Sequence, residues 1–284
     1  MRILITGGAG MLAGALARAF CDGNDLLTLP KSEMDITNSE KVLKIVNDFK
    51  PELILNPAAF TNVDDCENFP EQAFRINALG AANMALAARL VGAQLVHFST
   101  DFVFDGKKGT PYREDDTPNP LSTYGKTKLA GEKLIRQVYQ QHYIVRTAWL
   151  FGTGGKNLLS TLHRKLRQKQ NIHVSNDQWG SPTYTEDLAG AVQTLVQRAV
   201  PGTFHLSNSG SCTRFELAQE AARYFNCPED LIRPVTGTEL KLPAPRPAHS
   251  VLENHHWQLL GYLPLRDCRT AYRDFLQTQE KTGN

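Results

Sequence analysis

Tyr124 and Lys128 stand four residues apart in Tyr124-Gly125-Lys126-Thr127-Lys128, at the start of a segment with helical periodicity. That spacing puts both side chains on one face of a helix. A free phenol has a pKa of about 10, too high for easy proton exchange at neutral pH. A fixed positive charge nearby favours the phenolate and lowers that value. The spacing therefore predicts that Lys128, helped by the charge of an oxidised nicotinamide ring, holds Tyr124 down. The phenol then gives a proton to a carbonyl oxygen as hydride reaches its carbon, or takes one in reverse. A tyrosine and a lysine four apart also occur as an ordinary surface pair.

A second segment favours the catalytic reading. In Leu95-Val96-His97-Phe98-Ser99-Thr100-Asp101-Phe102 an apolar strand ends abruptly in hydroxyl residues. Strand C-termini of a doubly wound sheet form its ligand crevice. Thr100 is placed to hydrogen-bond a substrate carbonyl and stabilise its developing negative charge. Ser99 and Asp101 serve equally as capping groups for the next turn, and for Ser99 that is the expected role.

A third segment supplies the partner such chemistry needs. The first strand runs straight into Thr6-Gly7-Gly8-Ala9-Gly10-Met11-Leu12-Ala13-Gly14, and an amphipathic helix follows at once. Glycine lets the backbone turn sharply and approach a pyrophosphate, while free N–H groups at the helix start face the negative charge. Gly7 and Gly10 are the expected contacts; an ordinary strand-to-helix turn is the competing explanation. NAD enzymes usually carry an acidic residue at the end of the second strand. Here that stretch reads Leu27-Thr28-Leu29-Pro30-Lys31-Ser32, with no carboxylate. Lys31 and Ser32 suit a 2′-phosphate, so the expected cofactor is NADPH, with NADH possible; Lys31 as a solvated loop lysine is the plain alternative. Asp35-Ile36 either flanks an adenine or belongs to a helix cap with Thr37 and Asn38.

These residues need a scaffold that brings them together. From residue 1 to about 150, short apolar runs (Ile3 to Ile5, Leu26 to Leu29, Leu53 to Leu55, Leu95 to Phe98, Ile144 to Val145) alternate with helical stretches. The helices are expected at Met11 to Phe20, Ser39 to Phe49, Glu71 to Leu90 and Tyr124 to Tyr139. That rhythm predicts an α/β fold, a Rossmann-type doubly wound parallel sheet. After Gly152 it becomes irregular, with helices expected at Leu158 to Arg167, Glu186 to Arg198 and Phe215 to Phe225. Residues 151–284 are thus expected to form a smaller mixed substrate-binding part behind a 1–150 NAD(P)-binding domain, with a segment near 202–206 free to return to the main sheet. The prolines of Leu242 to Pro247 predict a loop.

Composition excludes several other classes. With 284 residues, 41% of them hydrophobic, and a formal net charge of +2, the chain can bury a large core and lacks the basic surplus of a nucleic-acid or membrane-surface binder. Five scattered cysteines without a C-x-x-C pair argue against disulfides and zinc, and no apolar run reaches the roughly 20 residues that span a bilayer. The opening MRILITGG reads as a strand rather than a leader, and the expected location is the cytoplasm. The adjacent His255 and His256 are expected to pack rather than to hold a metal.

Taken together, the glycine turn, Asn56-Pro57-Ala58-Ala59-Phe60-Thr61, Ser99-Thr100-Asp101, Tyr124 with Lys128, Arg146-Thr147-Ala148-Trp149 and Asp177-Gln178-Trp179-Gly180-Ser181-Pro182-Thr183 resemble the dTDP-4-dehydrorhamnose reductases of the extended short-chain dehydrogenase/reductase superfamily. The resemblance runs from residue 1 to about 250. It implies that Tyr124 is the proton donor, Lys128 its partner and a cofactor ribose ligand, and Thr100 the carbonyl-side hydroxyl. It also implies that Gly10, Met11 and Leu12 line the pyrophosphate and that Asp35 and Ile36 line the adenine. Ala58, Ala59, Phe60 and Thr61 would line the cofactor's middle, while Thr100, Asp101 and Trp149 would touch the sugar. A tryptophan at a strand end is equally at home in a core. Arg246, between Pro245 and Pro247, is a candidate for the nucleotide diphosphate, because a planar fork suits phosphate oxygens; a surface role competes.

Two positions depart from the family pattern. Ala13 stands where glycine is frequent, an allowed variant. Ala15 stands where some relatives that pair through a metal ion carry glutamate, so a homodimer remains possible but a metal bridge is in doubt. Related dehydratases share the fold but usually add an Asp-Glu pair, and here Asp101 is followed by Phe102. An epimerase with tightly held NAD, or a regulatory subunit that keeps the fold without catalysis, are the remaining alternatives.

Overall fold

Ile3, Leu4 and Ile5 are fully buried, as is every residue of Leu53–Asn56. Strands that are apolar on both faces belong in a parallel sheet covered on both sides. The computed structural model describes residues 1–155 and 158–281. Its central sheet has six strands: β1 (Arg2–Ile5), β2 (Asp25–Thr28), β3 (Leu53–Asn56), β4 (Gln94–Thr100), β5 (His142–Thr147) and β6 (Gly202–His205). They lie in the order β6-β5-β4-β3-β1-β2, and every neighbouring pair is parallel. The longer helices are α1 (Met11–Phe20), α2 (Ser39–Phe49), α3 (Ala81–Val91), α4 (Thr123–Val138), α5 (Leu158–Arg167), α6 (Thr185–Arg198), α7 (Arg214–Tyr224) and α8 (Cys268–Lys281).

Alternation along the strands sorts side chains between two layers. Ile3, Ile5, Leu55, Val96 and Val145 pack with Leu12 and Leu16 of α1 and Leu188 and Val192 of α6. Leu4, Ile54, Leu95 and Ile144 face the other way, onto Val42 and Val46 of α2, Met84 of α3 and Ile135 of α4. A further core, built from Phe151, Tyr184, Leu217, Tyr272 and Phe275, belongs mostly to the C-terminal half. There Ile172–Ser175 pairs in parallel with Ile232–Val235, and two-residue strands join Leu150–Phe151 to Thr183–Tyr184 and Trp179–Gly180 to Cys212–Thr213.

The expected helix from Glu71 to Leu90 is not continuous. Short helices Val63–Asn68 and Pro70–Phe74 lead into a π-helical turn, Arg75–Gly80, and only then into α3. Pro70 has no N–H to carry a helix through from residue 66, so the chain starts afresh there. The π turn buries Asn77, whose amide is spent on the backbone of Phe60. The helix α8 was not anticipated, although Ala271, Tyr272, Phe275 and Leu276 fall at helical spacing and are fully buried. Among the described residues, no helix is long and apolar enough to cross a membrane.

Candidate active site

In the strand order found here, the chain adds strands to one side of β1 for β2 and to the other side from β3 onward, and such a switch point is where open α/β sheets bind ligands. The chain leaves β1 through Gly7, whose φ of +61° disfavours any side chain; a Cβ there would also lie 3.1 Å from Ala58 Cα. Gly10 then occupies the N-cap of α1, with no side-chain cap and no acidic residue in the first turn. The first turn itself thus brings no carboxylate to the N–H groups at this helix start, which fits a pyrophosphate. They border a cleft of about 880 Å³.

The helix α4 delivers the phenol and the amine to that cleft. Ser122 Oγ caps it by accepting the Gly125 N–H at 3.2 Å. Gly125 lets the first turn press against the end of β4, since a Cβ there would come within 2.1 Å of Phe102 O. Tyr124 thereby meets the Phe102 ring edge-on at 5.9 Å and lies close to Thr100. Lys128, one turn on, is buried, and its Nζ donates to Phe98 O at 2.6 Å and meets His97 Nε2 at 3.2 Å. Thr100 is the last residue of β4, and its Oγ1 accepts the Phe102 N–H at 3.1 Å and donates to Asp101 Oδ1 at 3.0 Å.

The electrostatics differ from the sequence expectation in one respect. Burial pushes the Tyr124 phenol above its ordinary value, Asp101 and Cys66 add to this, and only Thr100 opposes it. Lys128 does not lower it, because its ammonium points to Phe98 and His97 rather than to the phenol. Burial brings Lys128 itself down to about 8, against the pull of Glu132. Asp101 is raised to about 6 by burial, with Ser250, Thr100 and Arg214 opposing. Tyr124 thus holds its proton, as a donor to a carbonyl oxygen must.

The cleft gathers nearly all the residues singled out from the sequence. Gly7, Gly10, Met11 and Leu12 line it, together with Lys31, Asp35 and Ile36. Ala58, Ala59, Phe60 and Thr61 share its walls with Thr100, Asp101, Tyr124, Lys128 and Trp149. Asp35 also accepts the N–H and hydroxyl of Thr37, while Asn38 is the residue that caps α2. Ser32 lies outside the cleft, in a separate surface groove. Ser99 does not cap; its hydroxyl donates to Glu132 Oε1 at 2.6 Å, and Thr100 does the capping instead.

Arg246 stands apart. Its guanidinium is held by Asp64 at 2.8 and 3.0 Å and by Ala244 O at 2.6 Å, and it does not line the cleft. The arginine that does is Arg214, the first residue of α7, stacked 4.2 Å from the Trp149 ring. Arg214 was not foreseen, and its only signal was the Thr213…Glu216 capping box that starts the helix there. Trp149 takes a left-handed φ of +45°, and its Nε1 is buried with no hydrogen-bond partner among the described residues. Backbone strain and an unmet donor at a cleft wall are features of ligand sites. Asn77 also escaped notice: it accepts the Phe60 N–H at 2.8 Å and donates to Thr127 Oγ1 at 3.1 Å, tying the cleft wall at Phe60 to α4.

A doubly wound sheet with a glycine turn at its switch point, and a Tyr and Lys pair facing a strand-end hydroxyl across one cleft, define an oxidoreductase of the extended short-chain dehydrogenase/reductase class. Within that class the chain belongs to the family described as the RmlD substrate binding domain, which matches residues 1–281. It is 41% identical over 277 residues, covering 97% of each chain, to the spore coat polysaccharide biosynthesis protein SpsK of Bacillus subtilis. It is 39% identical to the dTDP-4-dehydrorhamnose reductase of Mycolicibacterium smegmatis, over 96% of this chain and 84% of that one. The crystal structure of the Bacillus anthracis dTDP-4-dehydrorhamnose reductase in complex with NADP superposes with a TM-score of 0.95 at 36% identity, covering 98% of this chain and 99% of that one.

Proposed function

We propose that this chain reduces the 4-keto group of a nucleotide-linked deoxy sugar with NADPH, converting dTDP-4-dehydro-L-rhamnose to dTDP-L-rhamnose for surface polysaccharide synthesis. The observation that carries this reading is the meeting of Tyr124, Lys128 and Thr100 in the cleft that begins at the Gly7 to Gly10 turn. The names of the similar reductases and the NADP complex of one of them support it.

Bound in the cleft, the reduced nicotinamide supplies the hydride. The backbone at Gly10, Met11 and Leu12 holds the pyrophosphate, and Lys31 meets the 2′-phosphate. Ala58 to Thr61 line the middle, next to Asp35 and Ile36 at the adenine, and Lys128 holds the nicotinamide ribose. Tyr124 donates the proton to the C4 oxygen, and Thr100 hydrogen-bonds that oxygen as its charge develops. Asp101 and Trp149 orient the sugar. Arg214 is a better placed cation than Arg246 for the negatively charged part of the substrate.

In this reading residues 1–150 bind the cofactor and 151–284 complete the sugar site, with β6 joining the main sheet. The protein works in the cytoplasm on a small nucleotide sugar, without nucleic acid or membrane, as a monomer or homodimer. The test mixes enzyme, NADPH or NADH, and dTDP-4-dehydro-L-rhamnose made in situ, and follows the absorbance band of the reduced nicotinamide. Sugar-dependent loss of that band, faster with NADPH, is expected. No loss with this sugar, while NADPH still binds, would overturn the substrate assignment.

A further inference from the structure

A buried polar chain runs inward from Lys128 at the cleft, and its other members take no part in the chemistry described so far. Thr6 Oγ1 lies 2.6 Å from Asn56 Oδ1, Asn56 Nδ2 lies 3.1 Å from His97 Nδ1, and His97 Nε2 lies 3.2 Å from Lys128 Nζ. The four side chains sit just after β1 and on β3, β4 and α4, and none is more than 1% exposed. A polar group so deeply buried must find its partners within the protein.

A neutral imidazole has one N–H and one lone pair, so the chain can be proton-ordered in two ways. If Asn56 turns its NH₂ toward His97 Nδ1, the ring proton sits on Nε2 and points at Lys128. Two donors then face each other unless the lysine is neutral. If the amide makes a half-turn, Asn56 Oδ1 accepts Nδ1–H, Thr6 Oγ1 accepts the NH₂, and His97 Nε2 is free to accept from an ammonium. The same heavy-atom positions serve both orders. Only the second suits a charged Lys128, whose three N–H bonds then go to Phe98 O, to His97 Nε2 and into the cleft that Lys128 lines.

We propose that His97 is a positioning residue for Lys128: as the Nδ1–H tautomer held by Asn56, it accepts one ammonium hydrogen, aims another into the cleft, and sets the pH at which Lys128 loses its charge. The functional part of this proposal rests on the place given to Lys128 under the reading above. Burial, then Lys128 and then His142, hold His97 far below its ordinary value, so it stays neutral, as an acceptor must. The other titratable groups acting on the pair are Glu132, on α4 with Lys128, and His142 on β5. The Arg146 charge on β5 is taken up by Glu132 at 2.8 Å.

The tautomer and the Lys128 titration are read without cofactor or sugar, so a failed reductase assay leaves them intact. Ring ¹⁵N shifts of the histidine-labelled full chain report each tautomer, and His97 is identified by the signal missing in His97→Gln. The expected result is Nδ1–H at neutral pH. In protein labelled with ¹³C at lysine Cε, the Lys128 signal is the one missing in Lys128→Met. Loss of the acceptor in His97→Phe should lower its titration midpoint by about one pH unit. His97→Gln, with an amide oxygen to accept, should restore most of it, and the alkaline limb of NADPH affinity should move in parallel. An Nε2–H tautomer in the unaltered protein, or an unmoved Lys128 midpoint in folded His97→Phe, would overturn the proposal. If His97→Phe does not fold, the tautomer alone decides.

Discussion

Tyr124 is only partly exposed, and only its phenol must exchange a proton, so Tyr124→Phe removes one O–H and little else. Turnover should fall by the ~10²–10⁴-fold associated with lost general acid catalysis, while NADPH affinity measured by fluorescence stays nearly unchanged. Unchanged turnover would remove the phenol from the mechanism. Lys128 carries the complementary prediction. Burial sets its value near about 8, below that of an ordinary lysine. The ammonium therefore dominates below that pH and is lost above it, so cofactor KM should rise and kcat/KM fall through an alkaline limb near about 8. A profile flat to pH 10 would show that Lys128 is not the titrating group. The Tyr and Lys pair, Thr100 and the glycine turn were legible because each is a short local pattern beside a strand or helix end. Arg214 was not, because it reaches the cleft from a helix more than 60 residues after Trp149, and only tertiary packing brings the guanidinium and the indole together.

The helix α4 is tied to the sheet by a charge cluster as well as by apolar contacts. Glu132 Oε1 accepts from Ser99 at 2.6 Å and from Arg146 Nε at 2.9 Å, and Oε2 accepts from Arg146 at 2.8 Å and Arg136 at 2.9 Å. Burial raises Glu132, but Arg146 and the hydrogen bonds outweigh it, and the carboxyl ends below its ordinary value. Removing one partner of such a pair strands the other charge, so Glu132→Ala should destabilise the protein by roughly 3–5 kcal/mol in denaturant titrations. A loss under about 1 kcal/mol, the range of exposed pairs, would show that Arg146 finds another partner or water. None of this was evident beforehand, because Glu132 and Arg146 look like surface residues of a helix and a strand until β5 is placed beside β4. The π turn at Arg75–Gly80 was hidden for a similar reason. The apolar spacing there is helical, and the break comes from the tertiary demand of Phe60 on Asn77.

At the scale of the molecule, the alternation of strand and helix over the first half was readable because each strand there is built around a short apolar run. The C-terminal half was less so. Its strands are two to four residues long, and their pairing with distant partners leaves no local pattern. The molecule also buries neutral histidines. His205 is pulled down to about 3 by burial and then by Arg146. An unfolded histidine protonates near about 6.5, so the folded state's advantage is complete above that pH and is lost as pH falls toward the folded value. His97 acts in the same sense. Unfolding midpoints in guanidinium should therefore decline steadily below about pH 6.5, before most carboxylates titrate. Constant midpoints from pH 7 to pH 5 would mean that neither histidine is buried as described.

The central claim is that hydride reaches C4 of a keto sugar in the cleft between the glycine turn and Tyr124. NADPH carrying deuterium at the transferable position of its nicotinamide, consumed with dTDP-4-dehydro-L-rhamnose, tests it directly through mass and NMR spectra of the product. The account predicts one deuterium per product molecule, bound at C4, formed by the unaltered protein and at least about 100-fold more slowly by Tyr124→Phe. Deuterium at another carbon, a product without it, or equal rates for the two proteins would contradict it.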